Sequence, residues 1–251
     1  MTLIVALRAQ AGVVMASDGQ ATSATGIPTR TSTEKLDVLH GRIAFGCAGS
    51  AGLRQRVRME LHEQIDPELC QQPLDNELRD KLFSIVNRIQ KHAGDSFVQA
   101  SPYDKLHTLD VLFAGHSEDE SWIYEVTATG DDQRHGLGEA IGHGRHFAAY
   151  ALVSAEHYQL TSRGLGQVRL LAYRAVDDAI RTDATGLGQP VHMIQLTAAG
   201  AQRLSDDQVA AVQNAVNAWQ GHECDIFNEQ DADLPPVESE ADGQGIEVPQ
   251  G

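Results

Sequence analysis

An α+β fold of antiparallel sheets covered by helices is predicted by three features of this 251-residue sequence. Short β-branched runs come in pairs joined by turn residues, apolar residues elsewhere recur every three or four positions, and the order along the chain is strands, two helices, strands, two helices, strand, helix. Strands grouped in runs and followed by grouped helices favour antiparallel sheets over a doubly wound parallel one. Thr2–Arg8 and Gly12–Asp18, joined across Ala9-Gln10-Ala11, predict a hairpin. Leu36–Leu39 and Ile43–Cys47 predict a second one about His40-Gly41-Arg42. The spacing of Leu53, Val57, Leu61 and Ile65, and then of Leu78, Leu82, Ile85, Val86 and Ile89, predicts two amphipathic helices separated by Pro67 and Pro73. Leu109–Ala114 and Trp122–Val126 read as strands around an acidic turn, Ser117–Ser121. Helical spacing returns over Phe147–Glu156 and Val168–Ile180. A strand at Val191–Leu196 and a helix over Ser205–Trp219, with Ser205 as N-cap, complete the body. With no internal repeat and no linker, residues 1–220 are expected to form one domain, followed by a tail over 221–251.

Composition narrows the function classes. At 41% hydrophobic residues the chain can bury a core, which excludes global disorder and collagen-like repeats. Its 19 Lys and Arg against 35 Asp and Glu give a net charge of −16, unsuited to nucleic acid or an anionic membrane surface. Nine of the acids fall in residues 222–251, which hold no Lys or Arg and contain Pro235-Pro236. That composition predicts a disordered acidic tail and leaves the body at a net −7. No apolar run approaches the ~18 residues of a membrane span, and the N-terminus lacks a signal peptide's basic and apolar regions. Cys47, Cys70 and Cys224, odd in number and far apart, are expected to be reduced thiols in the cytoplasm.

Among residues able to carry chemistry, Thr2 stands out because a small penultimate residue is compatible with removal of Met1. The new terminus would hold a hydroxyl and an α-amine in one residue. An amine with a pKa near ~7.7–8 can act as base toward that hydroxyl at neutral pH. An isolated Met-Thr start is, however, far more often a plain N-terminus. His135, His143, His146 and His157 lack the flanking acids of a known metal signature and are expected to be solvated or capping. Gly136-Leu137-Gly138 and Gly142-His143-Gly144 fall short of a dinucleotide loop, with no βαβ unit around them.

The surroundings of Thr2 change its weight. Thr2-Leu3-Ile4-Val5-Ala6-Leu7, then Gly12 to Asp18-Gly19-Gln20-Ala21-Thr22, then Thr33-Glu34-Lys35-Leu36, then Phe45-Gly46-Cys47-Ala48-Gly49 leading into a helix, together resemble proteasome β-type subunits over roughly residues 2–200. The Asp-Gly-Gln-Ala-Thr run is similar to the bacterial HslV-like branch, while the acidic balance and tail look more like the branch called the betaproteobacterial proteasome homologue.

The resemblance implies an N-terminal nucleophile hydrolase fold, a four-layer αββα sandwich of two antiparallel sheets flanked by helices. It implies a threonine endopeptidase with Thr2 as nucleophile and its α-amine as general base, Asp18 and Lys35 behind it, and the Gly46 amide as oxyanion donor. Thr22 and Gly49 match backbone positions that pair with an extended substrate, and Ala21, Ala44 and Ala48 map near the first specificity pocket. His143 stands where a serine commonly hydrogen-bonds the α-amine, and Asp183 is the supporting acid. Backbone carbonyls of Ile180, Asp183 and Gly186 match a loop that holds a cation in relatives. No cofactor is implied. The implied partners are a peptide or unfolded-protein substrate, further copies forming a double ring of six or seven subunits per ring, and an ATPase unfoldase. Two departures stand out. Lys35 requires a one-residue insertion, since ungapped counting puts Glu34 in its place, and His143 replaces a serine. Both keep open a non-catalytic ring subunit that retains Met1. An amidase using the same nucleophile on small molecules is the other alternative.

Overall fold

The computed structural model describes residues 1–22, 28–98, 109–117, 120–182 and 186–231, and it divides into two units, Met1–Val216 and Asn217–Gly251. In the first unit β1 (Ile4–Ala9) and β2 (Gly12–Ser17) form the expected hairpin, followed by a two-stranded ribbon of β3 (Gln20–Thr22) and β4 (Pro28–Ser32). β5 (Leu36–Leu39) and β6 (Ile43–Gly49) form the second hairpin and lead into α1 (Ala51–Gln64) and α2 (Asn76–Val98). Next come β7 (Leu109–Ser117), β8 (Glu120–Val126), β9 (Asp132–His135) and β10 (Gly138–Ile141). They are followed by α3 (Arg145–His157), α4 (Leu165–Thr182), β11 (His192–Thr197), β12 (Gly200–Arg203) and α5 (Asp206–Asp231).

These strands build two five-stranded sheets, ordered β10-β1-β2-β11-β12 and β5-β6-β7-β8-β9, with every pairing antiparallel. Alternation along each strand sends successive side chains to opposite faces. Ile4, Ala6, Val13 and Met15 of the first sheet therefore meet Ala44, Leu112, Ala114 and Ile123 of the second in a core between the sheets. On the second sheet's outer face, Phe45, Phe113, Trp122 and Tyr124 pack beneath Val57 and Leu61 of α1 and Leu78, Leu82 and Ile89 of α2. On the first sheet's outer face, α3 and α4 lie against β1, β2 and β10. They bury Ala148 and Ala155 from α3 and Val168, Leu171, Ala172 and Val176 from α4. The layers are helices, sheet, sheet, helices, as the resemblance implies.

Three local expectations change. The ribbon β3–β4 and the short strands β9, β10 and β12 are additional, because four-residue strands with polar faces, such as Asp132–His135, carry too little alternation to stand out. The Gly136-Leu137 step is the crossover from β9 in one sheet to β10 in the other. The last helix does not stop near Trp219. It opens with a capping box, the Gln208 N–H donating to Ser205 Oγ at 3.3 Å and the Ser205 N–H to Gln208 Oε1 at 2.9 Å, and it continues to Asp231. Residues 222–231, expected as unstructured chain, are thus helical. Acidic composition lowers helix content less than Pro or Gly does, and the first Pro after Ser205 is Pro235. The rest of the acidic tail, 232–251, lies outside the described residues.

Candidate active site around Thr2

Thr2 precedes β1, and the neighbouring strands grip its main chain. Its carbonyl accepts the Gly144 N–H at 3.2 Å. The next amide, Leu3 N–H, donates to Asp18 Oδ1 at 2.9 Å, and the Asp18 N–H returns to the Leu3 carbonyl at 3.3 Å. A Cβ on Gly142 would overlap the Thr2 carbonyl oxygen and come 3.1 Å from Ala48 Cβ. Gly142 also has φ of +92°, so only glycine suits this crossing. The β10–α3 turn and the end of β2 thereby fix the backbone on either side of the Thr2–Leu3 peptide.

Beneath this backbone Lys35, at the entry to β5, lies 4% exposed against a fully buried Asp18. Its ammonium donates to both Asp18 oxygens at 2.7 Å and to the Met1 carbonyl at 3.1 Å. All three N–H bonds of the ammonium are thus directed. Burial lowers the Lys35 pKa below the ordinary lysine value, the Asp18 charge and hydrogen bond oppose that shift, and the nearby Arg54 adds to it. Glu34, its rival in an ungapped alignment, is exposed and pairs at 3.5 Å with Arg203. The one-residue insertion therefore puts the lysine, not the glutamate, on Asp18.

The remaining candidates divide. Ala48, buried on β6, borders Gly142 and so the Thr2 backbone. Gly49 ends β6, exposed and with φ of +140° as the chain turns into α1. Gly46 was expected just before a helix. It sits instead in the middle of β6, opposite Leu36 and Leu112, and a Cβ there would come 2.8 Å from Ile4 Cδ1. Ala44 is packed in the core between the sheets. Ala21 and Thr22 lie on β3, whose only strand partner among the described residues is β4. His143 is exposed in the β10–α3 turn, between the two glycines that meet Thr2 and Leu3. Ile180 is in the last turn of α4, where carbonyls lack intrahelical partners, and a Cβ on Gly186 would overlap Met1 Sδ. Asp183 lies outside the described residues. A surface depression of about 670 Å³ on α1 and α2, lined by Arg56, Met59, Glu63 and Arg88, shares no residue with this cluster.

Two contributors escape sequence reasoning. Ser17, fully buried next to Asp18, has a hydroxyl with no hydrogen-bond partner among the described residues. Asp177 on α4, 5% exposed, accepts Gln189 Nε2 at 2.9 Å and pairs with Arg181 at 2.7 Å. It thereby ties down the Gly188-Gln189-Pro190 segment, where the Gly188 carbonyl accepts the Gly19 N–H at 2.9 Å. An acid on the apolar face of α4 with an arginine four residues on is the sequence signal for it.

Two antiparallel sheets between helix layers, with a threonine pinned at the head of a central strand, define the N-terminal nucleophile hydrolase class of fold. The family model for the proteasome subunit matches residues 2–190, and the chain belongs to the proteasome subunit family. It is 30% identical over 228 residues to the proteasome subunit beta of Stackebrandtia nassauensis, covering 86% of this chain and 78% of that one. Among solved structures, Anbu (ancestral beta-subunit) from Yersinia bercovieri superposes with a TM-score of 0.69 at 18% identity, over 94% of this chain and 99% of that one. The Anbu complex from Pseudomonas aeruginosa, described as a helical assembly, gives 0.71 at 16% identity over 96% and 100%. At these identities the structural likeness speaks for the fold. No helix among the described residues is long and apolar enough to cross a membrane.

Proposed function

We propose that this chain is a threonine peptidase of the proteasome β type whose nucleophile is Thr2, exposed by removal of Met1. The observation that supports this most is the buried Lys35 ammonium, held by both oxygens of Asp18 and reaching the carbonyl of the peptide bond that precedes Thr2. Loss of Met1 removes that acceptor and leaves one ammonium N–H directed at the new terminus. The Thr2 α-amine takes the hydroxyl proton as Oγ attacks the substrate carbonyl carbon, and the oxyanion role expected of Gly46, which lies between β5 and β7, passes to an amide at the end of β6, where Gly49 turns into α1. The protonated amine gives its proton to the departing amine as the C–N bond breaks. Water, deprotonated by the same amine, then cleaves the acyl ester and restores Thr2. The nearby positive charge of Lys35 favours oxyanion character on Oγ and disfavours premature protonation of the amine. The resemblance assigns His143 to the amine's side of the site, Asp183 to its support, and Ile180, Asp183 and Gly186 to a cation loop; of these Asp183 lies outside the described residues. An extended substrate adds to β3 at Ala21 and Thr22 and to Gly49, with Ala48 in the first pocket.

The reading extends to a cytoplasmic homo-oligomer that encloses the sites, either a double ring of six or seven subunits per ring or a helical assembly like that of the Pseudomonas aeruginosa relative. An ATPase unfoldase would feed unfolded polypeptide into it. Hydrolysis of a fluorogenic peptide panel tests the reading. Activity is expected in the wild type and lost by at least ~10³-fold in Thr2→Ala with the assembly intact. Undiminished hydrolysis by Thr2→Ala would remove Thr2 from the mechanism. A second reading, a non-catalytic subunit, is favoured by the same Lys35–Met1 bond, because a chain that keeps Met1 leaves the ammonium fully satisfied. Activity confined to small amides would favour an amidase.

A further inference from the structure

Far from Lys35 in sequence, three strands bring a second set of ionisable groups together. His135 ends β9, Glu125 lies on β8 of the same sheet, and Glu139 lies on β10 of the other sheet, just past the Gly136-Leu137 crossover. His135 Nε2 is 3.0 Å from Glu125 Oε2, and its Nδ1 is 3.0 Å from Glu139 Oε2. The side chains are 10%, 12% and 27% exposed, in the same order His135, Glu125, Glu139, so bulk water screens them poorly. One ligand atom from each of the three lies within 4.8 Å of the others. His135 was expected to be solvated or capping. It is neither, because the acids that meet it come from two other strands.

The charge balance of this cluster is incomplete. A neutral imidazole has one N–H, yet both ring nitrogens face carboxylate oxygens, so one contact sets a nitrogen lone pair against an anion unless another positive charge is present. Neither glutamate has a Lys or Arg partner among the described residues. Even with a doubly protonated ring the trio carries a net −1. Asp110 on β7 feels the Glu125 charge: burial first and Glu125 second raise its carboxyl above the usual range, against the Ala128 N–H and Arg145. The remaining oxygen of Glu139 accepts the Ala140 N–H at 2.8 Å, which fixes that carboxylate in place.

We propose that Glu125, His135 and Glu139 form a binding site for a divalent transition-metal ion, with Zn²⁺ the best match, that clasps the edges of the two sheets. One imidazole nitrogen with carboxylate oxygens is a ligand set for borderline cations, not for Ca²⁺ or Mg²⁺, which take oxygen alone. Zinc bonds of about 2.0–2.2 Å place two tetrahedral ligands roughly 3.3–3.5 Å apart, so the present 3.0 Å spacing needs a shift of a few tenths of an ångström. One ring nitrogen takes the ion together with its facing glutamate. The other carboxylate either swings in as third ligand or holds the opposite N–H, which fixes the ring's tautomer and orientation. Water fills the remaining positions. The ion is structural: β10 runs three residues on to Gly142, so the clasp steadies the turn that meets Thr2 without entering its chemistry. The site does not depend on Thr2 being a nucleophile.

The test uses the full chain in its native assembly, stripped with chelator and titrated with ZnCl₂ by calorimetry, with metal content measured after dialysis. One zinc per chain is expected. It should be absent in His135→Gln, weakened at least ~10-fold in Glu139→Gln, and unchanged in Cys224→Ser. Co²⁺ substitution of the wild type provides a readout free of folding effects. Visible d–d bands without a thiolate charge-transfer band are expected, since no sulfur is within the ligand set. No zinc uptake, uptake undiminished in a folded His135→Gln, or a sulfur charge-transfer band would each overturn the proposal and leave the His135 contacts with Glu125 and Glu139 as the clasp.

Discussion

Asp18 with Lys35, and Glu125 with His135 and Glu139, are two places among the described residues where opposed charges are drawn out of water, and they are built differently. In the first, one carboxylate spends both oxygens on one ammonium and still accepts a backbone N–H, so charge is balanced and every donor directed. In the second, two carboxylates face one imidazole and no Lys or Arg among the described residues pairs with them. Ions removed from water cost several kcal/mol each unless paired and hydrogen-bonded. The balanced pair is self-sufficient, and its value lies in what its cation presents to Thr2. The unbalanced trio offers one nitrogen and several oxygens to the proposed ion.

The comparison breaks first where the balanced pair is cut. Lys35→Met leaves Asp18 buried and unpaired and is expected to cost about 3–5 kcal/mol in denaturant unfolding, with peptidase activity lost. The double variant Asp18→Leu/Lys35→Met should regain part of that stability but none of the activity. If the double is as unstable as the single, the Asp18 bond to the Leu3 N–H outweighs the ion pair. Gly142→Ala comes next, at about 1–3 kcal/mol, because a Cβ there collides with the Thr2 carbonyl at a φ that disfavours alanine. Thermal melting measures it, and an unchanged midpoint would mean that the turn relaxes freely. Glu125→Gln sharpens the contrast: in metal-free protein, removing one of two carboxylates should leave the melting midpoint unchanged or slightly higher, opposite in sign to any cut in the Asp18–Lys35 pair. The smallest effect belongs to the helix surface. Arg88, 54% exposed on its pair with Glu60, should cost no more than about 1 kcal/mol on replacement by Ala, and less in high salt.

The pH response also separates the clusters. Burial leads the causes that lower the Lys35 pKa, so the folded protein releases this proton at lower pH than the unfolded chain, whose lysines titrate near ~10.4. Between those two values the unfolded state binds more protons, so this group's contribution to stability rises with pH. The ammonium that serves the site is lost over the same window. Peptide hydrolysis is therefore expected to fall on the alkaline side while the protein stays folded, as a pH–rate profile run beside thermal melts would show. Activity that persists until the fold melts would dissociate Lys35 from the chemistry.

The first half of the molecule was legible because its signals are local. The β1–β2 and β5–β6 hairpins are short apolar runs bounded by turn residues, Asp18 directly follows β2, and Lys35 directly precedes β5, so placing two strands places the ion pair. The sandwich follows from the order of strands and helices. What was hidden depends on chain crossings. Gly46 falls near the end of the predicted strand Ile43–Cys47, and its mid-strand place was hidden because β6 runs on through Gly49 before α1 begins. Asp177 owes its role to Gln189, 12 residues on, and Ser17 is set apart only by its burial, neither of which spacing reports. His135 and Glu139 are four residues apart in sequence, a helical spacing, but they belong to strands in different sheets, so a search for helical metal motifs passes over them.

The central claim, that Thr2 is a nucleophile served by its own amine, is tested most directly by the intact mass of the purified protein with and without a peptide epoxyketone. That warhead forms its ring adduct only with a free α-amine next to a hydroxyl. A mass lacking Met1 that gains one inhibitor per chain, and fails to do so in Thr2→Ala, is the predicted result. A mass that retains Met1 and gains nothing would contradict it and leave a structural subunit whose Lys35 is held by the Met1 carbonyl.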